Sequence, residues 1–354
     1  MNVIKTTITG LAAGAAVLAV GASGARAEWP ERPITVVVMY GAGGGTDTVI
    51  RTIVKEMASA TGWKINVINK PGAVGGVATR YVLGKKDDGY TWMGAANYNK
   101  FVRVMGHSKS QAWKDWQYMQ AANSRASWSV RPDSKFKTFQ DVIAAAKANP
   151  GKITISTSGQ GGLWHELAAI VAQSAGVTLK YLPYKGGKAA TLAGLNGEAM
   201  IAGGGVHEHI EHIRAGNLRP IQQTGTKDID AGGGKIMPSV GNFLPGIKNQ
   251  LPFSGIYNLA IRRSVPKAII GKIEKAFVAG VKSPAFAAIA KKKFFEIDIR
   301  TGKAADRRAA QVESITAETF ERLGVKGSHP ATELGLPKPA GFDKWWPPQG
   351  YKPL

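Results

Sequence analysis

The sequence predicts an α/β protein of two similar domains facing each other, and three observations carry that prediction. A buried strand, a glycine loop and a helix start follow one another from residue 36, and the same unit returns from residue 152. Around them, strand-like and helix-like stretches alternate at the spacing of βαβ crossovers, which builds parallel sheet. The chain, at 354 residues, is long enough for two separate cores.

The opening unit organises the rest. Val36, Val37, Val38, Met39 and Tyr40 read as a fully buried strand, and Gly41-Ala42-Gly43-Gly44-Gly45-Thr46-Asp47 follows as a loop. The period then changes: Val49, Ile50, Ile53, Val54 and Met57 recur at helical spacing. Thr46 is the expected N-cap and Gly62 the expected C′ residue. A loop without side chains opening a helix is an anion cradle, because the helix N-terminus adds about half a positive charge and the loop N–H groups lack partners. The plainer alternative is a tight turn whose glycines serve packing alone.

The first 27 residues read as a secretory signal: Lys5 in a short positive region, an apolar stretch at 11–20, and Ala25-Arg26-Ala27 as the cleavage site. No later stretch is long and apolar enough to span a bilayer. The mature protein is expected to begin near Glu28, exported to the periplasm. Cysteine is absent, which excludes disulfides, thiolate metal sites and thiol catalysis. The net charge is +22, and removal of Lys5 and Arg26 with the signal leaves +20. Such an excess favours anionic partners without naming one.

After the first helix, 64–69 reads as a strand, 77–83 as a helix and 91–94 as a strand. The second half opens with a helix at 139–148, stopped by Asn149-Pro150-Gly151. The strand 152–156, the loop Thr157-Ser158-Gly159-Gln160-Gly161-Gly162 and the helix 163–175 then repeat the opening unit. Strands at 177–181 and 199–202 flank a helix around 192–195, and a strand near Ile221 is expected to return to the first domain. Helices follow at 266–281, 284–293 and 304–323, those at 266 and 284 with proline near their starts. The expected division is 28–126 plus 220–323 for the first domain, 127–219 for the second, and 324–354 as an irregular C-terminal strap.

Taken together, WPERPITVVVMYGAGGGTD, VINKPGAVGGVA, DDGYTWMGA, ITISTSGQGGLWHELA, LPYKGGKAATLAGLNGEAMIAG, HIRAGNLRPI, MPSVGNFLPG and SVPKAIIGKIEKAF resemble the tripartite tricarboxylate transporter receptors, the Bug or TctC-like periplasmic solute-binding proteins. The resemblance covers residue 29 to about 323. It implies a type II periplasmic-binding protein fold, two α/β domains around a ligand cleft, and no enzymatic turnover. It also implies capture of a small mono- or dicarboxylate, delivery to two membrane subunits of a permease, and no cofactor. Residue by residue, Gly43, Gly44, Gly45 and Thr46 would hold one end of the ligand and Ala96, Asn97 and Tyr98 would line one wall. Ser158, Gly159, Gln160, Gly161 and Gly162 would hold the far carboxylate, with Lys185, Gly186 and Gly203 flanking the pocket. Trp164, with Tyr98 opposite, would suit a flat aromatic acid. After residue 202 stand Gly203, Gly204 and Gly205, with no carboxylate until Glu208, so an ammonium would lack a partner and amino acids are disfavoured.

Other readings carry less weight. Gly41-x-Gly43-x-x-Thr46 lacks the third glycine of a dinucleotide fingerprint, and the next strand ends in Asn69-Lys70 without an acidic ribose partner. The run His207-Glu208-His209-Ile210-Glu211-His212 suggests a metal site, but a solvated helix face is the expectation, with no metal bound. Ser158 with His165 has no acidic orienter for nucleophilic catalysis. Trp113 and Trp116 beside Lys109 and Lys114 are the nearest approach to a nucleic-acid surface. An exported metal-binding or nucleic-acid-binding basic protein is the alternative to a monomeric solute receptor without a nucleic-acid partner.

Overall fold

A computed structural model describes residues 28–354. The expected signal segment, 1–27, lies outside the described residues. The larger sheet begins with β1 (Ile34–Val38), followed by α1 (Gly45–Thr61), β2 (Ile65–Asn69), α2 (Gly76–Leu83) and β3 (Thr91–Ala96). β1 pairs in parallel with both β2 and β3, as the crossover spacing predicts. α1 buries Val49, Ile50, Ile53, Val54 and Met57 on that sheet, each side chain contributing roughly 1.5–3 kcal/mol. Gly62 ends the helix at φ 74°, its N–H donating to Ala58 O. Thr46 does not cap it: the N-cap is Gly44, and the Asp47 carboxylate instead reaches back to accept the Gly43 N–H at 2.8 Å.

After α3 (Lys100–Val104) and α4 (Ala112–Asp115) comes β4 (Trp116–Val130), a 15-residue strand shared by two parts of the molecule. Its first part pairs with strands of the larger sheet, while Ala126–Val130 pairs with strands of the smaller half. That half contains α5 (Phe139–Ala148), β5 (Thr154–Thr157), α6 (Leu163–Ser174), β6 (Lys180–Pro183), α7 (Gly187–Leu195), β7 (Ala202–Gly205), α8 (Val206–Arg214) and β8 (Arg219–Gln223). Thr138 and Asp141 form a capping box that starts α5. β5 and β6 pair in parallel, repeating the geometry of β1 and β2.

The sequence expectation ends a short strand at 199–202, running into Gly203-Gly204-Gly205; in the structure β7 starts at Ala202 and the glycines form it. A Cβ on Gly203 would stand 2.3 Å from Ser156 O, and one on Gly205 would stand 2.1 Å from the His207 ring, so only bare backbone fits there. The return to the larger sheet also lies later than expected. β8, at the expected position, pairs with Ser127–Val130 and stays in the smaller half. β9 (Ile229–Asp230) and β10 (Ile236–Met237) follow, and Ile229 and Met237 join Ile210 and Ile213 in a small core of that half. The chain re-enters the larger sheet at β11 (Ser254–Arg262), antiparallel to β3 and β4.

α9 (Lys267–Val281), α10 (Pro284–Lys293), β12 (Glu296–Arg300) and α11 (Gly302–Arg322) complete the larger half, in the sheet order β12-β4-β11-β3-β1-β2. The C-terminal strap packs on it: Ala331, Leu336 and Phe342, the last opening α12 (Phe342–Trp345), are buried in the same core. Tyr351 Oη donates to Asp306 Oδ2 at 2.7 Å, and the same oxygen is 2.5 Å from Arg263. Trp113 and Trp116 are core residues of this half, which removes the exposed aromatics that a nucleic-acid surface would require.

Candidate functional site

The glycine loop of each half faces the other half. A Cβ on Gly41 would lie 3.4 Å from Lys185 O across the gap, and one on Gly159 would lie 3.4 Å from Val74. Between them is a cavity of about 200 Å³. Three helices begin on its wall. Gly45 and Thr46 open α1, Leu163 and Trp164 open α6, and Gly187, Lys188 and Ala189 open α7, and all seven residues line the cavity. The first-turn N–H groups of a helix have no intrahelical acceptor, and each N-terminus carries about half a positive charge. Three such ends on one small volume, with Lys185 and Lys188 beside them, form a strongly anion-favouring site.

Of the residues expected at the site, Gly44, Gly45, Thr46, Ala96, Asn97, Ser158, Trp164, Lys185 and Gly186 line this cavity. The others do not. Gly43 gives its N–H to Asp47 and borders a neighbouring crevice beside Lys188. Tyr98 is fully buried behind the wall, its hydroxyl donating to Gln120 Oε1 at 2.7 Å and its ring packed edge-on to Tyr118. It therefore cannot form the second aromatic face opposite Trp164. Gln160 is exposed, and Gly159, Gly161 and Gly162 shape the turn into α6. Gly203 lies in β7, pressed beneath Ser156.

His165 has an orienting role in that turn. Its Nδ1 accepts the Gly161 N–H at 2.9 Å, while Ser158 Oγ accepts the Trp164 N–H at 3.3 Å. The two side chains thus hold backbone separately and do not form a nucleophile–base couple. Burial lowers the His165 pKa below the usual histidine range.

Eleven lining residues are not among those expected at the site, and Tyr40, Ile256, Tyr257 and Glu208 are the ones that change its chemistry. Ile256 and Tyr257 lie on β11, a stretch without a clear strand signature. Tyr257 Oη shares hydrogen bonds with Ser124 Oγ at 2.9 Å and His207 Nε2 at 3.1 Å, and burial raises its pKa well above the usual phenol value. Glu208 overturns the expectation that no carboxylate faces the cleft. Its side chain is 6% exposed, and Oε2 accepts the Gly205 N–H at 2.8 Å. Burial pushes its pKa up, but His207 and the Gly205 N–H outweigh that and hold it below the usual glutamate value.

The histidine run is not a solvated face. His207 points to Tyr257, and His209 is fully buried with Nδ1 3.0 Å from Ser129 Oγ. Among the described residues, no group of three or more His, Cys, Asp or Glu side chains is placed to hold a metal ion. Burial lowers the His209 pKa to about 3. The unfolded chain then binds a proton that the native state refuses, so stability is full above about pH 6.5 and falls as the pH drops towards 3. The expected loss is several kcal/mol, at most about 5. Urea midpoints of native protein and His209→Gln at pH 7 and pH 4 check this. The variant should lose less on acidification, and equal losses would show that His209 does not titrate with unfolding.

No helix among the described residues is long and apolar enough to cross a membrane. A protein of Cupriavidus necator known as "UPF0065 protein in gbd 5'region" is 30% identical over 282 residues, 78% of this chain and 83% of that protein. The solved periplasmic binding protein BugD superposes with a TM-score of 0.76 at 22% identity, over 84% of this chain and 99% of BugD. The R. palustris protein Rpa4515, solved with adipate, gives 0.72 at 21% identity, over 88% of this chain and 100% of that one. Both superpositions show the two-domain periplasmic-binding fold. Residues 49–325 match the family described as "Tripartite tricarboxylate transporter family receptor". Its members are solute-binding receptors, not enzymes, and this chain belongs to that family.

Proposed function

We propose that this chain is a periplasmic receptor that captures a small organic carboxylate between its two domains and delivers it to a permease of two membrane subunits. The observation that carries the reading is the set of three helix N-termini lining one cavity. A carboxylate placed there meets backbone donors from both halves at once, whereas an open form offers it one half only. Ligand contact made only in the closed state favours closure. We assign 28–126 with 254–323 to one moving body and 127–253 to the other, because β4 and the entry to β11 are the crossings between them. The apolar part of the ligand would rest against Leu163, Trp164, Ile256 and Tyr257. Delivery to a permease rests on family membership, and the adipate held by Rpa4515 supports the ligand class.

A thermal-shift screen of small mono-, di- and tricarboxylates tests this. A ligand at a hundred times its Kd should stabilise the protein by about 2.7 kcal/mol. Response to sugars or metal ions with none to any carboxylate would overturn the reading.

A further inference from the structure

Glu208 places a carboxylate in a site built for anions. Its carboxylate lies on the cavity wall within the closed gap: a Cβ on Gly187 would stand 2.0 Å from both of its oxygens, and one on Gly44 would stand 3.9 Å from Oε1. Oε2 is occupied by the Gly205 N–H. Among the described residues Oε1 has no hydrogen bond of ordinary length: His207 Nε2 lies 3.5 Å away, and that nitrogen is already 3.1 Å from Tyr257 Oη. Lys185 and Lys188 line the same cavity, yet neither forms an ion pair with Glu208 among the described residues. The Gly205 N–H and His207 hold this carboxylate ionised, and a cation brought by the ligand would give Oε1 a direct partner. The same carboxylate would repel a second carboxylate at that end.

Resting on the carboxylate reading of the cleft, we propose that Glu208 is a specificity-determining residue that pairs with an ammonium group of the ligand. The solute is then an amino carboxylate, with its carboxylate at the helix N-termini and its ammonium at Glu208. The plainer role of Glu208, a capping-box residue for α8 through Gly205, accounts for Oε2 and leaves Oε1 unexplained.

The test is calorimetric titration of the intact protein with matched pairs: L-aspartate and succinate, L-phenylalanine and 3-phenylpropionate, L-leucine and 4-methylpentanoate. At least one amino acid should bind 10-fold or more tightly than its partner lacking the amino group. Glu208→Gln keeps an oxygen for the Gly205 N–H and should remove that preference. Glu208→Asp, which keeps the charge but withdraws it, should retain part of it. Circular dichroism and urea midpoints establish that each variant folds; should Glu208→Gln not fold, the Asp variant alone decides, through partial loss of the preference. Acids without an amino group binding as tightly as their partners, or a preference unchanged in the variants, would overturn the assignment while leaving the carboxylate reading intact. Binding of neither set, with response to sugars or metal ions, would instead count against the carboxylate reading itself.

Discussion

Lys100→Met is expected to destabilise the closed protein by about 3–5 kcal/mol, the cost of leaving a buried charge without its partner. Lys100 Nζ lies 2.9 Å from Glu166 Oε2, the two side chains are 9% and 3% exposed, and Thr316 Oγ1 donates to Glu166 Oε1 at 2.6 Å. Burial lowers the Lys100 pKa, with Glu166 acting against that shift. Lys100 and Thr316 belong to the larger half and Glu166 to α6 of the smaller one. Removing the lysine therefore strands a carboxylate in the contact between them, and opening the cleft is one way to hydrate it. The variant should show a lower urea midpoint and weaker binding of whichever carboxylate responds in the thermal screen. Lys100→Met with Glu166→Leu should recover most of the midpoint, because no charge is then left buried. A single-variant loss below about 1 kcal/mol would mean that the pair is hydrated and does not join the two halves.

Gly45→Ala should weaken ligand binding about 10–100-fold. The added Cβ would lie 2.3 Å from both His207 Nε2 and Tyr257 Oη, far inside contact distance, and neither group is free to retreat. Tyr257 is held by Ser124, and His207 packs against Trp164 and Phe295. Overpacking of this kind costs roughly 1–3 kcal/mol, and each 1.4 kcal/mol is about tenfold in Kd. His207 comes from the smaller half, so much of that cost falls on closure. Titration calorimetry reads the effect, and unchanged affinity would show that the liganded state keeps these groups apart.

The parts of the fold legible in the sequence are those with one clear period. β1 and α1 announce themselves by a change from a continuous apolar run to helical spacing, and Asn149-Pro150-Gly151 ends α5 where expected. The crossing strands were not legible. β4 carries Gln117, Gln120, Ser124, Ser127 and Ser129 at buried positions, so it shows no hydrophobic alternation; its polar groups find partners only in the tertiary structure. β11 follows a loop-rich stretch and is enclosed by β3 and β4, and without it Ile256 and Tyr257 could not be placed at the cleft. Gly203–Gly205 carries no side chain to mark a strand, yet forms one in a place where its neighbours leave no room for side chains. Glu208 was visible as the first carboxylate after those glycines; its direction followed from the turn of α8, which composition does not report.

Hydrogen–deuterium exchange, with and without the strongest ligand from the carboxylate screen, reads capture of the ligand between the two halves at the groups that would make the contact. Slowed exchange is expected at three separate stretches together: 44–47 at the start of α1, 162–165 at the start of α6, and 186–189 at the start of α7. Protection confined to one of these stretches, or found only elsewhere in the chain, would contradict capture of the ligand between the two halves.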